Sequence, residues 1–274
     1  MKSISRIEMR GLFHRYTLDW NLHDDVNILV GINGSGKSTI LRCVDALLSH
    51  RHSYLKGLGV EITLGLSDGS QISSEAADVK GGPNLPHVYM ATFDVPLRDK
   101  RSIKSNETPL DKDLQEVLYM VGSERKSFST YRLKATNYPE QAEQINRRIA
   151  QLFEQINLLF AETGKTVEIN KADNSLEFRN GDQMIPISRL SSGEKQLLLL
   201  LFTIFLMEEQ SYIVLMDEPE ISLHVGWQQQ LIDVVRRLDP NTQIILATHS
   251  PSIFGEGWGD RLTFTDDLMQ KEPC

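Results

Sequence analysis

The segment Gly31 to Ser38 has the residue types and the spacing of a loop that binds the phosphates of a nucleotide. It reads G-x-x-x-x-G-K-S, follows the apolar strand Val26 to Val30 and precedes apolar residues at helical spacing. Glycines let backbone N–H groups and a helix N-terminus point at a phosphate, Lys37 adds positive charge near the β and γ phosphates, and Ser38 offers a hydroxyl to Mg²⁺. The residues expected to hold the nucleotide are Asn33, Gly34, Ser35, Gly36, Lys37, Ser38 and Thr39. The alternative is a glycine-rich turn with a solvated lysine, which the flanking strand and helix disfavour.

Two adjacent carboxylates follow a second apolar strand. Ile213 to Met216 is apolar throughout, which is typical of a buried parallel sheet, and Asp217 and Glu218 come at its carboxyl end, where α/β proteins bind ligands. Asp217 is expected to hold Mg²⁺ together with Ser38, and Glu218 to position or deprotonate the water that attacks the γ phosphate. The alternative is that the acid pair caps a following helix.

A histidine follows a third apolar strand. Ile244 to Ala247 leads into Thr248 and His249. The carboxyl ends of parallel strands share one edge, so the imidazole is expected beside the carboxylates, as a group that handles a proton or senses the γ phosphate. A lone histidine is more often structural, but its place at a strand end favours the active role. The predicted catalytic residues are therefore Glu218 and His249.

The other elements surround these motifs. The sequence predicts strands at Ile4 to Leu12, Tyr16 to Leu22 and His87 to Phe93, hairpins at Val60 to Ser73 and Val167 to Phe178, and helices near Leu110 to Val121, Ile145 to Leu159 and Leu197 to Met207. The apolar residues from Ile145 to Leu159 alternate steps of four and three. Because they cover only about two heptads, a helix packed on the core is favoured over a coiled coil.

Composition limits the class of protein. The chain has 274 residues, 40% of them hydrophobic and 24% charged, which is enough for one compact domain with a small insertion. Its longest apolar run is about half the length needed to cross a bilayer, and residues Met1 to Arg10 have no apolar core of a signal peptide. Only two cysteines, Cys43 and Cys274, argue against a disulfide-built fold. A net charge of −8 argues against a surface made for nonspecific DNA binding. The cytoplasm is the expected location.

Taken together, the motifs resemble those of the ABC ATPases. The segment Leu190 to Gln196 reads LSSGEKQ and is similar to the ABC signature, Ile221 to His224 resembles the D-loop, and His249 resembles the switch histidine. With the phosphate loop and the Met216 to Pro219 strand end, these motifs occur in the family's order along essentially the whole chain.

The resemblance implies a fold and an assembly. The expected fold is an α/β P-loop NTPase, an ABC ATPase head with a mixed central sheet, an N-terminal antiparallel β subdomain and a helical lid. The chain is expected to form one domain, 1–274, with the lid inserted at 98–165. The family binds ATP and Mg²⁺ between two heads arranged head to tail, so Ser191 and Gly193 would contact the γ phosphate in the partner's site. A larger oligomer of such pairs stays open.

The branch of the family suggests a role. The motif forms resemble soluble heads of the SMC and DNA-repair type, and more closely the compact ATPases of antiphage systems: the PARIS, Septu, retron-associated and overcoming-lysogenization-defect groups. The resemblance implies a switch that controls a separate effector, for example a nuclease, with no membrane partner. The alternatives are a transporter cassette, a DNA-repair or chromosome-type head, and a scaffold that binds ATP without turnover.

Some family features have no clear counterpart. No glutamine follows the strand His87 to Phe93, which ends before Asp94, so the Q-loop residue is unassigned. Tyr16 or His14 could stack on adenine, although both also suit surface packing. A basic cluster that could contact nucleic acid or a partner, but is more simply a solvated loop, comprises Arg98, Lys100, Arg101 and Lys104.

Overall fold

The computed structural model describes residues 2–75, 85–91, 108–120, 126–208, 212–255 and 257–271. It divides the chain into two compact units. The first contains Met1–Thr92, Glu209–Glu220 and Asn241–Cys274, and the second contains Phe93–Glu208 and Ile221–Pro240. One domain with an insertion at 98–165 stays a prediction.

The first unit is rich in strands, and the second contains most of the longer helices. The strands are β1 (Ile4–Leu12), β2 (Tyr16–Asn21), β3 (Val26–Val30), β4 (Glu61–Leu66), β5 (Gln71–Ser73), β6 (His87–Met90), β7 (Thr166–Ile169), β8 (Leu176–Asn180), β9 (Gln183–Pro186), β10 (Ile213–Asp217), β11 (Gln243–Thr248), β12 (Leu262–Phe264) and β13 (Met269–Lys271). The α-helices are α1 (Lys37–Leu48), α2 (His52–Leu58), α3 (Pro109–Tyr119), α4 (Phe128–Asn137), α5 (Ala142–Phe160), α6 (Ser192–Phe205), α7 (Val225–Leu238), α8 (Pro251–Phe254) and α9 (Thr265–Leu268). Short 3₁₀ helices lie at Pro139–Gln141, Ala161–Thr163, Ile187–Arg189 and Gly259–Arg261.

A parallel sheet forms the centre of the first unit. Its order is β12-β3-β11-β10-β6, and each pairing is parallel. Every residue of β10 and β11 is buried, which explains why these strands are apolar without alternation. In the register, Asp217 pairs with Ala247 and Thr248 pairs with Val30, so the three strands end at the same edge. The predicted strand-to-loop-to-helix order around α1 is confirmed.

An antiparallel sheet completes the first unit. Its order is β13-β2-β1-β4-β5, and in β1 the buried residues Ile4, Ile7, Met9 and Leu12 are separated by partly or fully exposed ones, as in a strand with one wet face. Its inner face, including Ile7, Met9 and Trp20, packs into one core with α1. The expected N-terminal antiparallel subdomain is present, but the expected mixed central sheet is not: all described pairings of the central sheet are parallel, and the antiparallel pairings lie in this second sheet.

Helices and a small sheet form the second unit. The sheet has the order β7-β8-β9, and β9 extends the predicted hairpin by one strand. On α5, Ile145, Leu152, Ile156 and Leu159 are buried and Ile149 is partly buried, and the helix contacts α4, α6, α7 and β7 of the same unit, so this face is a packed helix face and not a coiled-coil seam. The apolar run of α6 is also buried. No helix within the described ranges is long and apolar enough to span a membrane.

Candidate active site

The phosphate loop joins β3 to α1 in the first unit. Gly34 and Gly36 have positive φ angles of 83° and 95°, which glycine adopts without strain, and Gly36 is the N-cap of α1. The side chain of Lys37 is only 3% exposed. Its Nζ donates to the carbonyl oxygens of Gly31 at 2.8 Å and Ile32 at 3.1 Å. The ammonium therefore lies against the backbone at the start of the loop.

The loop has the chemistry needed to hold phosphate oxygens. The hydroxyl oxygen of Ser35 is buried and has no hydrogen-bond partner among the described residues. A Cβ on Gly31 would overlap the hydroxyls of Ser35 and Thr265, so the backbone is held close at this point. An unsatisfied buried hydroxyl, a buried ammonium and a helix N-terminus together fit an anionic ligand.

Asp217 lies at the end of β10, within reach of the loop. Its Oδ1 accepts from Ser38 Oγ at 2.8 Å, and its Oδ2 accepts from Tyr89 Oη at 2.9 Å. Burial, and then the nearby Asp217 charge, raise the pKa of the Tyr89 phenol far above its usual range, so the phenol stays a donor. The described residues contain no cluster of three or more His, Cys, Asp or Glu that could hold a metal. One carboxylate and one hydroxyl fit Mg²⁺, which keeps most of its ligands as water and phosphate.

Glu218 adopts a strained backbone. Its φ is 48°, and its N–H donates to Ala247 O at 2.8 Å, which ties the turn to β11. A non-glycine residue in this region costs about 1–3 kcal/mol and is common at active sites. The turn brings Glu218 Oε1 to 3.7 Å from Lys37 Nζ. Because the next α-helix begins at Val225 with its own N-cap, the acid pair does not cap a helix.

His249 completes this group. Its Nδ1 lies 3.5 Å from Glu218 Oε1 and 3.2 Å from Glu220 Oε1. Glu220 is buried, and its Oε1 also accepts from Thr248 Oγ1 at 2.5 Å and from the His249 N–H at 3.1 Å. Glu220 is a site residue that sequence reasoning missed. The sequence offered one indication of Glu220, its place two residues after Glu218 in the segment DEPE. It gave no indication that Glu220 contacts His249, 29 positions further along the chain.

The signature residues belong to the second unit. Ser191 is the N-cap of α6: its Oγ accepts from the Glu194 N–H at 3.3 Å, and Glu194 accepts from the Ser191 N–H at 2.8 Å. This is a capping box. Burial alone would raise the pKa of the Glu194 carboxyl, but hydrogen bonds from Lys165 and Ser191 outweigh burial. The net effect is a lowered pKa. Ser191 therefore has a structural role in its own chain besides the predicted contact with phosphate.

Gly193 also has a local packing role. It is buried, and a Cβ there would overlap the carbonyl oxygen of Ser222 in the segment before α7. A glycine is needed for this close approach whether or not a phosphate binds. Loss of function after Gly193 is replaced would therefore not identify a phosphate contact.

The aromatic ring of Phe13 lies beside the phosphate loop. A Cβ on Gly36 would lie 2.8 Å from Phe13 Cε2, and Phe13 is 43% exposed. Of the two aromatic residues suggested from the sequence, His14 lies against Gly59 and Tyr16 packs against the core. Phe13 is held in the β1–β2 turn with a positive φ of 53°.

Other predicted features have simpler outcomes. Cys43 is buried, and burial raises the pKa of its thiol to about 12, as expected for a core residue. Asp94 and the basic cluster Arg98 to Lys104 lie outside the described residues, as does Cys274. Within the first unit, the structure brings together the phosphate loop, Asp217, Glu218 and His249.

The sequence of residues 26–255 matches the protein family described as "AAA domain, putative AbiEii toxin, Type IV TA system". The chain belongs to this family. Membership agrees with the phosphate loop and the strand-end carboxylates, and it confirms the predicted class of this AAA domain, a P-loop ATPase.

Two relatives of the AAA domain come from retrons. One is "Retron Vc95 probable ATPase" of Vibrio cholerae serotype O1 biovar El Tor, 33% identical over 101 residues, which cover 33% of this chain and 20% of that protein. The other is "Retron Ec83 probable ATPase" of Escherichia coli, 31% identical over 98 residues, which cover 32% of this chain and 18% of that protein. The match thus spans about a fifth of the length of these relatives.

A solved structure shares the fold of the AAA domain. It is the SmcHead bound to the C-winged helix domain of ScpA, with a TM-score of 0.53 and 17% identity, covering 91% of this chain and 90% of that chain. The similarity confirms the expected α/β fold.

Proposed function

We propose that this chain is an ATP-hydrolysing switch subunit: two copies pair head to tail around ATP, and the pair controls a separate effector protein in antiphage defence. The observation that carries the hydrolysis step is the group formed by Lys37, Glu218 and His249 at the ends of β10 and β11. A buried cation, a carboxylate and an imidazole at one edge can bind a γ phosphate and activate a water.

The residues have distinct roles in hydrolysis. Lys37 neutralises charge on the β and γ phosphates, and Glu218 accepts a proton as the water oxygen bonds to the γ phosphorus and the bond to the β–γ bridging oxygen breaks. The products are ADP and inorganic phosphate. Asp217 and Ser38 are the residues that would hold Mg²⁺, which neutralises the phosphates when bound. Glu220 holds the His249 ring, because its Oε1 lies 3.2 Å from Nδ1.

Head-to-tail pairing is the part of the proposal that concerns the signature. Ser191 begins α6, and a helix N-terminus favours anions. In the resemblance to ABC ATPases, this end of the helix serves the partner's nucleotide. Closure around ATP would then depend on the γ phosphate, because only ATP bridges both copies.

The defence role is supported by similarity. The two relatives are probable ATPases of retrons, and the family description includes a toxin system. The motif forms also resemble those of other antiphage ATPases. A separate effector, with a nuclease as the first candidate, gives the ATP-driven closure an output.

Phe13 is expected to contact the base of the nucleotide. Its exposed ring lies beside Gly36, where a base next to the phosphate loop could stack on it. Replacing an aromatic ring that stacks on a base costs about 1–3 kcal/mol, so Phe13→Ala should weaken ATP binding by about 5–150-fold. Equilibrium titration with a fluorescent ATP analogue measures this change. Tyr16→Ala, at another aromatic residue of the hairpin, is the comparison variant, and its stability is measured too because Tyr16 packs on the core. Equal ATP affinity of Phe13→Ala and wild type would exclude the base contact.

The proposed function has one direct test. The full chain is purified from its native host with and without ATP and Mg²⁺, its ATP hydrolysis is measured against Lys37→Ala as the blank, and companions present in stoichiometric amounts are identified by mass spectrometry. We expect Mg²⁺-dependent hydrolysis, an ATP-dependent increase in native mass, and a companion with its own catalytic domain. Hydrolysis no faster than the blank would reject the ATPase switch. A membrane permease as the companion would reject the defence role.

A further inference from the structure

The carboxylate of Asp217 is held from two sides. Ser38 Oγ donates to its Oδ1 at 2.8 Å, and Tyr89 Oη donates to its Oδ2 at 2.9 Å. Ser38 belongs to the phosphate loop, but Tyr89 belongs to no nucleotide-binding motif of the sequence. It reaches Asp217 because β6 pairs in parallel with β10, with Tyr89 opposite Leu215 and Met90 opposite Met216.

Tyr89 is itself oriented by Arg42. Arg42 Nε, on α1, lies 3.3 Å from the Tyr89 oxygen. A guanidinium can only donate, so the Tyr89 oxygen accepts from Arg42 and its hydrogen is directed to Asp217. Two hydrogen bonds thus connect Arg42 on α1, the helix that also carries Lys37 and Ser38, to the half-buried Tyr89 phenol and then to the buried Asp217 carboxylate.

We infer that Tyr89, oriented by Arg42, is a positioning residue that fixes the Asp217 carboxylate for the divalent metal of the nucleotide. The inference rests on the proposed function for the role of Asp217. A carboxylate free to rotate loses part of its affinity for a metal, because the orientation must be restored on binding. Loss of a partner that orients a metal ligand typically costs about 10–100-fold in metal affinity.

The test is Tyr89→Phe, which deletes one oxygen and keeps the ring. Binding of Mn²⁺ is measured by electron paramagnetic resonance on the full chain with saturating ADP, together with metal-free ADP affinity and thermal stability. We expect the Mn²⁺ dissociation constant to rise about 10–100-fold, while metal-free ADP affinity is retained. Tyr119→Phe is the matched control, because its hydroxyl bonds to the Leu176 N–H in the second unit. This control should bind Mn²⁺ as wild type does.

Arg42 gives a second, independent variant. Arg42→Met should raise the Mn²⁺ dissociation constant less than Tyr89→Phe does, and it should add nothing in the Tyr89→Phe background, because it acts through the phenol. Wild-type Mn²⁺ affinity in Tyr89→Phe would overturn the inference, as would a parallel loss of metal-free ADP binding and stability. Weakened Mn²⁺ binding in a chain that does not hydrolyse ATP would support the inference and reject the proposed function, so the two failures are distinguishable.

Discussion

Glu218→Gln is expected to slow ATP hydrolysis by about 10²–10⁴-fold, the usual contribution of a general base, while ATP binding is retained. The glutamine keeps the length of the side chain but cannot take up the proton of the attacking water. Lys37, the buried cation of the phosphate loop, is unchanged. Because binding survives and turnover does not, pairs closed around ATP should accumulate.

The measurement combines single-turnover hydrolysis, titration with a fluorescent ATP analogue and native mass in ATP and Mg²⁺. Glu143→Gln is a matched control, because Glu143 is exposed on α5 and pairs only with the nearby Arg147 in the described structure. The control should behave as wild type does. Wild-type turnover in Glu218→Gln would show that another group activates the water, and the strained turn at Glu218 would need a different explanation.

The strand ends were predictable because the chemistry there is local in sequence. Asp217, Glu218 and His249 each follow an apolar strand directly, and parallel pairing then brings those ends to one edge. The phosphate loop is also a single short segment. Its spacing fixes Gly31 and Gly36, and the backbone at Gly36 has a positive φ; Gly34, at a variable position of the motif, also has one.

The contacts that support the site were not predictable, because they join residues far apart in the chain. Tyr89 lies 128 positions from Asp217, and Glu220 lies 28 positions from Thr248. Neither pair has a spacing rule. Phe13, which lies beside Gly36, was not among the aromatic residues that the sequence suggested, because no sequence pattern indicates which ring of the β1–β2 turn lies next to the loop.

Short or weakly patterned elements were missed for another reason. Helix α2 and strands β9 and β13 have seven residues or fewer, which is too short to show a period. Helix α4 is longer, but its apolar residues do not form one face, and only Phe128 and Tyr131 are buried. Packing against neighbours, rather than pattern, places such elements.

Ser191→Asp and Lys37→Ala should each abolish hydrolysis when tested alone. An equal mixture of the two variants should recover about a quarter of wild-type activity, because half of the pairs are mixed and each mixed pair has one intact site out of two. In a head-to-tail pair, the phosphate loop of one copy works with Ser191 of the other. Aspartate keeps the N-cap of α6, since it is a good capping residue, and adds negative charge toward the γ phosphate. Thr108→Asp, at the N-cap of α3, is the matched control and should be active.

The reciprocal mixture separates pairing from action within one chain. A chain that carries both Lys37→Ala and Ser191→Asp is mixed with an equal amount of wild type. If Ser191 serves the partner's nucleotide, mixed pairs have no intact site and activity falls to about a quarter; if it serves its own chain, activity falls only to about a half. Steady-state ATPase rates after subunit exchange measure both mixtures. A shared site predicts that the mixture of single variants regains hydrolysis and that the mixture with wild type keeps about a quarter of wild-type activity. If the mixture of single variants stays inactive and the mixture with wild type keeps about a half, Ser191 serves the nucleotide of its own chain.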